Sequence, residues 1–322
     1  MIEMDKLAEL ELAGKYTGIE NRISELVVPL PELSPVSIDG RFFYLTFRGK
    51  QPTIDEFVDF LYPKIIPFCI PRSKRFENIT KLQQTGDDRY HMELSDQARN
   101  LFIKAAKTLK RSGEPGELIL FSILEAFFDA PQVACKMYLK TSENMPVHGS
   151  DSIHIKYEPG AGELLLMWGE SKLYQQLSAS IREICKSISS FTTLNQGRSH
   201  RERDIDIIKD HANIDDHSVL KAFLDYFDPY TPQVNKRKEI YCCMSGFDYS
   251  LYNSLEPIND NEVESFFKQN YIHCISDACL RFKQEILRSG IDHLSFIFIL
   301  LPFRSVAEFR KLFYLKLGLK PN

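Results

Sequence analysis

GELLLMWGESKLY, residues 162–174, reads as an extended strand whose ending decides the fold. Period two puts Leu164, Leu166, Trp168, Glu170 and Lys172 on one face and Leu165, Met167, Gly169 and Ser171 on the other. Both faces begin apolar, the mark of a strand covered on both sides, yet one of them ends by projecting a carboxylate and an amine together. The plainer alternative stops the strand at Gly169 and lets Glu170 open a helix as its N-terminal acid.

Upstream, DSIHIKYE (151–158) is a second short strand joined to the first by the turn residues PGAG, so the two predict a hairpin. That pairing brings Asp151, nineteen positions before Glu170, to the same end of the hairpin. A third strand is expected over VACKMYLK (133–140), and before it ELILFSILEAFF predicts a nearly all-apolar helix with Glu117 in its first turn, broken by Pro131. Downstream, Leu173, Leu177, Ile181, Ile184 and Ile188 recur at helical spacing. The order is α-β-β-β-α, followed by a polar stretch over 195–215, a helix over HSVLKAFLDYF, and two further strands at 239–249 and 294–303. This predicts an α/β fold with a mixed central sheet flanked by helices.

Towards the N-terminus, FFYLTF (42–47) predicts a strand, Thr53 caps a helix interrupted by Pro63, Pro67 and Pro71, and Ser95 caps another. The turn-rich RSGEPG at 111–116 divides an accessory region, 1–110, a candidate for partner docking, from a domain spanning 111–322.

The 322 residues are 43% hydrophobic and 26% charged, which excludes disordered and coiled-coil proteins. A formal charge of -4 excludes a global field drawing the chain onto nucleic acid or an anionic membrane, so any basic surface must be local. Residues 1–35 are acidic, with seven acids and three bases, and fit either a solvated helix or a docking arm. No run reaches the ~18 apolar residues of a membrane span, and the acidic MIEMDKLAELEL lacks the basic flank and apolar centre expected of a signal peptide. Seven cysteines without framework spacing read as reduced thiols, which predicts a cytoplasmic protein. His273, Cys274 and Cys279 lack the partners of a zinc site.

Asp151, Glu170 and Glu117 supply hard oxygen ligands of the kind that hold Mg²⁺ or Mn²⁺ against a phosphate, where the metal acidifies a bound water. Lys172 beside them would orient that water and balance transition-state charge. Such a set suits phosphodiester cleavage. Glu117, Asp151, Glu170 and Lys172 are the expected catalytic group, the three carboxylates being the expected metal ligands.

Helix with Gly-Glu, strand with Asp, strand with Glu-Ser-Lys and helix together resemble the PD-(D/E)xK restriction-endonuclease-like superfamily, although no Pro precedes Asp151. Relatives often place a polar, substrate-contacting residue on the next helix, which by that resemblance nominates Gln175. GEPGELILFSIL, VHGSDSIHI, WGESKLY, FIFILLPF and FRGKQPTIDEFVDFL, within residues 40–315, look like the HamA family of Hachiman anti-phage defence. That resemblance implies a Mg²⁺-dependent DNase effector restrained by a superfamily-two helicase subunit, HamB. Two other readings compete: a silent nuclease-fold scaffold in which Glu170 and Lys172 are merely an ion pair, and an RNase using the same site.

His148 and His154 flank Asp151, but His154 falls on the opposite face, which favours a structural role. His200, Asp204, His211, Asp215, Asp216 and His217 lack compact ligand spacing and are expected to be solvated. Basic clusters at 72–75, 198–203 and 236–238 are candidates for phosphate contact or ordinary surface. Tyr157, Trp168 and Tyr174 are expected to pack rather than stack on bases.

Overall fold

A computed structural model describes residues 18–105, 113–139, 149–194, 197–214 and 216–319. In chain order come β1 (Ile23–Glu25), β2 (Ser37–Leu45), the short pair β3 (Phe47–Arg48) and β4 (Gln51–Pro52), then helices α1 (Ile54–Leu61), α2 (Ile65–Cys69), α3 (Arg72–Thr85), α4 (Arg89–Ala105) and α5 (Glu114–Phe127). After these follow β5 (Gln132–Ala134), α6 (Lys136–Leu139), β6 (Ser152–Glu158), β7 (Glu163–Tyr174), α7 (Leu177–Thr192), α8 (His200–His211) and α9 (His217–Leu224). The chain then forms β8 (Arg237–Asp248), α10 (Val263–Arg288), β9 (Ser295–Phe303) and α11 (Val306–Lys316).

One curled sheet of seven strands runs β1-β2-β9-β8-β7-β6-β5. Strands β2, β9, β8 and β7 are mutually parallel, and both margins are antiparallel: β1 on β2, and β6 on β7 with β5 on β6. The parallel strands alternate their side chains between two cores, as a sheet covered on both faces must. Leu164, Leu166, Trp168, Tyr241, Cys243, Phe296 and Phe298 enter a core with residues of α7 and α10. Met167, Leu173, Cys242, Met244, Ile297 and Ile299 enter one with α1, α2, α4, α5 and α11.

The β6–β7 hairpin forms where expected, with Ser152 opposite Gly169 and Glu158 opposite Glu163. Its turn closes through Gly162, whose φ of +63° favours glycine and whose N–H donates to the Glu158 carbonyl at 2.9 Å. Strand β7 does not stop at Gly169 but continues to Tyr174, paired with β8 along its length, so Glu170 and Lys172 are strand residues rather than a helix start.

Several expectations need correction. VACKMYLK is a strand only to Ala134 before the chain turns into α6, and its Lys140 lies outside the described residues. Ser95 sits inside α4, six residues past its start, and caps nothing there. Thr53 precedes α1 but spends its hydroxyl on Thr46, seven residues earlier, accepting no bond from the helix. Of the two readings of the polar stretch, loop or solvated helix, the helix holds over residues 200–211, started by a reciprocal capping box between Ser199 and Glu202. The regions on either side of residue 110 share the sheet and the α5-side core, because β2 pairs with β9 and Phe43, Phe57 and Phe102 pack with Leu118 and Phe313.

Candidate active site

Register alone brings the hairpin's acidic end together. With Ser152 opposite Gly169, Asp151 falls opposite Glu170, and its N–H donates to the Gly169 carbonyl at 2.9 Å. The Asp151 Oδ2 accepts the Ser171 N–H at 2.8 Å and lies 3.1 Å from the Ser171 hydroxyl, which fixes that carboxylate against the strand. Beside it Lys172 Nζ is ion-paired with Glu170 Oε1, both largely buried.

Glu117 arrives from the other element that touches β7 here. It lies in the first turn of α5 and is buried. The preceding Gly116 lets that turn approach: a Cβ there would stand 3.1 Å from Leu173 Cγ and 3.3 Å from Ser171 Oγ. The Gly-Glu pair thus joins a close helix–strand contact to a carboxylate beside the Glu170–Lys172 strand end.

Charge links these groups through Lys172, which feels all three carboxylates, and through Glu170, which feels Asp151 and Lys172. Burial, and then the Asp151 charge, push the Glu170 carboxyl well above its ordinary range against the pull of Lys172. Burial opposes the Lys172 ammonium, yet Glu170, Asp151 and Glu117 together hold its pKa above the ordinary value. The two shifts look contradictory for an ion pair. They have different leading causes, burial for Glu170 and the surrounding carboxylates for Lys172, and three carboxylates against one ammonium leave the cluster with an excess of two negative charges if all are ionised.

That excess, on hard oxygen donors, is what a divalent cation would neutralise, with Asp151 and Glu170 nearest and Glu117 behind. Among the described residues no three His, Cys, Asp or Glu side chains converge closely enough to hold a metal by themselves. A cation here would therefore complete its shell with water and a ligand phosphate, the usual habit of Mg²⁺.

Residues outside the expected set hold the site in place. The buried Lys136–Asp204 ion pair (2.9 Å) grips the segment just before Asp151: Asp204 Oδ2 accepts the Ser150 N–H at 2.9 Å and its hydroxyl at 2.7 Å, and Lys136 donates to the Ser150 carbonyl at 2.5 Å. Asp204, expected to be solvated, is 1% exposed. Its only sequence signal was the capping box that starts α8 four residues earlier. Ser171, hidden as the middle residue of Glu-x-Lys, was equally unmarked.

The other nominations separate cleanly. Gln175 is exposed and follows β7, where its carbonyl accepts the Asp248 N–H at 3.2 Å. His154 is fully buried on the α5 side, as expected for a structural residue, whereas His148 and Asp215 lie outside the described residues. Asp216 caps α9. Trp168 and Tyr157 are packed in the core, while Tyr174 is exposed. None of the seven cysteines is in a disulfide, and no described helix is long and apolar enough to cross a membrane.

No curated protein matches the sequence. A family model does: HamA, over residues 24–317, which takes in both flanks of the sheet and every element of the site. The chain therefore belongs to the HamA family, and with it to Hachiman anti-phage defence alongside a defence-system partner.

Proposed function

We propose that the chain is a metal-dependent nuclease with a PD-(D/E)xK core, the DNA-cutting effector of a defence complex whose partner is a superfamily-two helicase subunit. The observation that carries this reading is the meeting of Asp151, Glu170 and Lys172 at one end of the β6–β7 hairpin, with Glu117 delivered from α5. When bound by Asp151 and Glu170, Mg²⁺ or Mn²⁺ would supply an acidified water and neutralise phosphate charge. Ser171 holds the Asp151 carboxylate in place, Lys172 offers its ammonium to the phosphate oxygens and the attacking water, and Glu170 and Asp151, with a smaller share from Glu117, keep that ammonium charged.

Plasmid, single-stranded DNA and RNA are to be incubated with Mg²⁺, Mn²⁺ or EDTA, with and without the helicase subunit and ATP. Wild type should cut DNA in a metal-dependent manner, and Glu170→Ala and Lys172→Ala should each abolish cutting while remaining folded, Lys172→Ala retaining metal binding. Full activity in either variant would sink the assigned site. A second reading, the silent scaffold, draws on the Glu170–Lys172 ion pair, and it takes over if no condition yields cutting sensitive to these variants.

A further inference from the structure

The basic clusters visible in the sequence are largely neutralised in the fold. Arg201 and Arg237 both bond Glu239, Arg198 pairs with Asp206, Lys238 with Glu163 at 2.6 Å and Lys74 with Glu77 at 3.6 Å. A phosphate backbone needs cations that are not already answered. Two arginines, Arg182 and Arg281, ninety-nine positions apart and so invisible as a run, meet this need.

They line a cleft of about 240 Å³ between α7 and α10, where Ser178 and Arg182 face Arg281, Gln284, Glu285 and Arg288. The α10 residues recur at three- and four-residue spacing, one stripe of a single helix face, and Ser178 and Arg182 are likewise one turn apart. Glu285 is the one carboxylate in the lining and is bonded by Arg288 at 2.6 Å, so the cleft carries a net charge of about two positive units. Arg182 and Arg281 are exposed, and neither has a carboxylate within ion-pair distance among the described residues.

The cleft is also tied to the candidate active site. Helix α7 begins three residues after Tyr174, the last residue of β7, and Ser180 Oγ donates to the Lys172 carbonyl at 3.3 Å and lies 2.7 Å from Ser245 Oγ on β8. Ser178 and Arg182 flank Ser180 within about one helical turn. We propose that the cleft between α7 and α10 binds the phosphate backbone of a nucleic acid, Arg182 and Arg281 each answering a phosphate and Ser178 and Gln284 adding neutral donors. It rests on the nuclease reading for the choice of a nucleic acid as the ligand.

The test is fluorescence anisotropy of a short labelled DNA duplex with the full chain, in EDTA so that nothing is cut, over roughly 50 to 200 mM salt. Wild type, Arg182→Ala/Arg281→Ala and Arg182→Lys/Arg281→Lys are compared, each checked for an unchanged thermal melt. The alanine pair should weaken binding roughly tenfold or more and flatten the slope of log K against log salt by about 2, and the lysine pair should keep the wild-type slope. Wild-type affinity and slope in the alanine pair, a lysine pair as flat as the alanine pair, or no duplex binding by wild type would each overturn the proposal. Failure of the nuclease reading is separable: arginine-dependent binding without cleavage under any metal sinks the nuclease alone, and cleavage with arginine-independent binding sinks the cleft alone.

Discussion

At the residue level the fold spends titratable groups in two ways. His154 is fully buried beside Phe121, its Nδ1 2.7 Å from the Ala130 carbonyl, so Nδ1 carries the proton and burial drives the imidazole pKa down to about 4. A base depressed on folding contributes stability that is present above its unfolded pKa, near 6.5, and is lost as pH falls towards 4. Between pH 7 and 5 wild type should lose about 2 kcal/mol more than His154→Gln in urea denaturation, and parallel pH curves would show that another group titrates. Lys136 and Asp204 are buried in the opposite manner, as a bonded charge pair. Asp204→Ala leaves an uncompensated ammonium and should cost about 3–5 kcal/mol, much of it recovered in Asp204→Leu/Lys136→Met. Metal titration of that double variant reports separately on the pair's grip on Ser150: weakened Mn²⁺ affinity with restored stability marks a positioning role, and unchanged affinity a purely structural one.

Elements meet most tightly where β6, β7 and α5 cross. A Cβ on Gly169 would stand 2.2 Å from Ser152 Oγ, 3.1 Å from Leu120 Cδ2 and 3.4 Å from Ser152 Cβ, so the obstacle is mostly one hydroxyl. That hydroxyl is buried without a hydrogen-bond partner, so Ser152→Ala should be neutral or stabilising. Gly169→Ala alone should cost roughly 1–3 kcal/mol, and the double variant less than the sum; strict additivity in urea melts would refute the contact. This hairpin was legible from its sequence because DSIHIKYE alternates, LLLMW is a continuous apolar run and the turn between them is rich in glycine. The Glu170 and Lys172 end of the site was legible too, since period two alone put them on one face. What escaped notice depends on distant partners. The parallel seam of β2 on β9 joins Phe42 to Leu300, and no local pattern in either strand states it. Ser95 looked like a cap because its hydroxyl suits one, yet tertiary packing carries α4 straight through it, burying Leu94 and Ala98. Asp204 looked solvated because its neighbours are charged, while its partner Lys136 is sixty-eight positions away.

For the molecule as a whole, that parallel seam decides what can fold. The turn before α5 looked like a domain boundary, yet β2 covers the edge of β9, whose residues from Phe296 to Phe303 are all buried. The α5-side core takes Phe43, Leu45, Phe57, Leu61, Phe68 and Phe102 from before residue 110. At roughly 1.5–3 kcal/mol each, those six side chains contribute about 9–18 kcal/mol, as much as the net stability of a typical domain. Residues 111–322 expressed alone should therefore lack a cooperative transition, expose a long apolar β9 edge and aggregate. The full chain should unfold with coincident near- and far-ultraviolet circular dichroism transitions. A 111–322 fragment that melts cooperatively and stays monomeric would show that the N-terminal strands are an addition to a self-sufficient core. A fragment that fails to fold makes those strands part of the scaffold that holds Asp151 against Glu170, because β2 supports β9, β9 supports β8, and β8 pairs with β7 through Glu170 and Lys172.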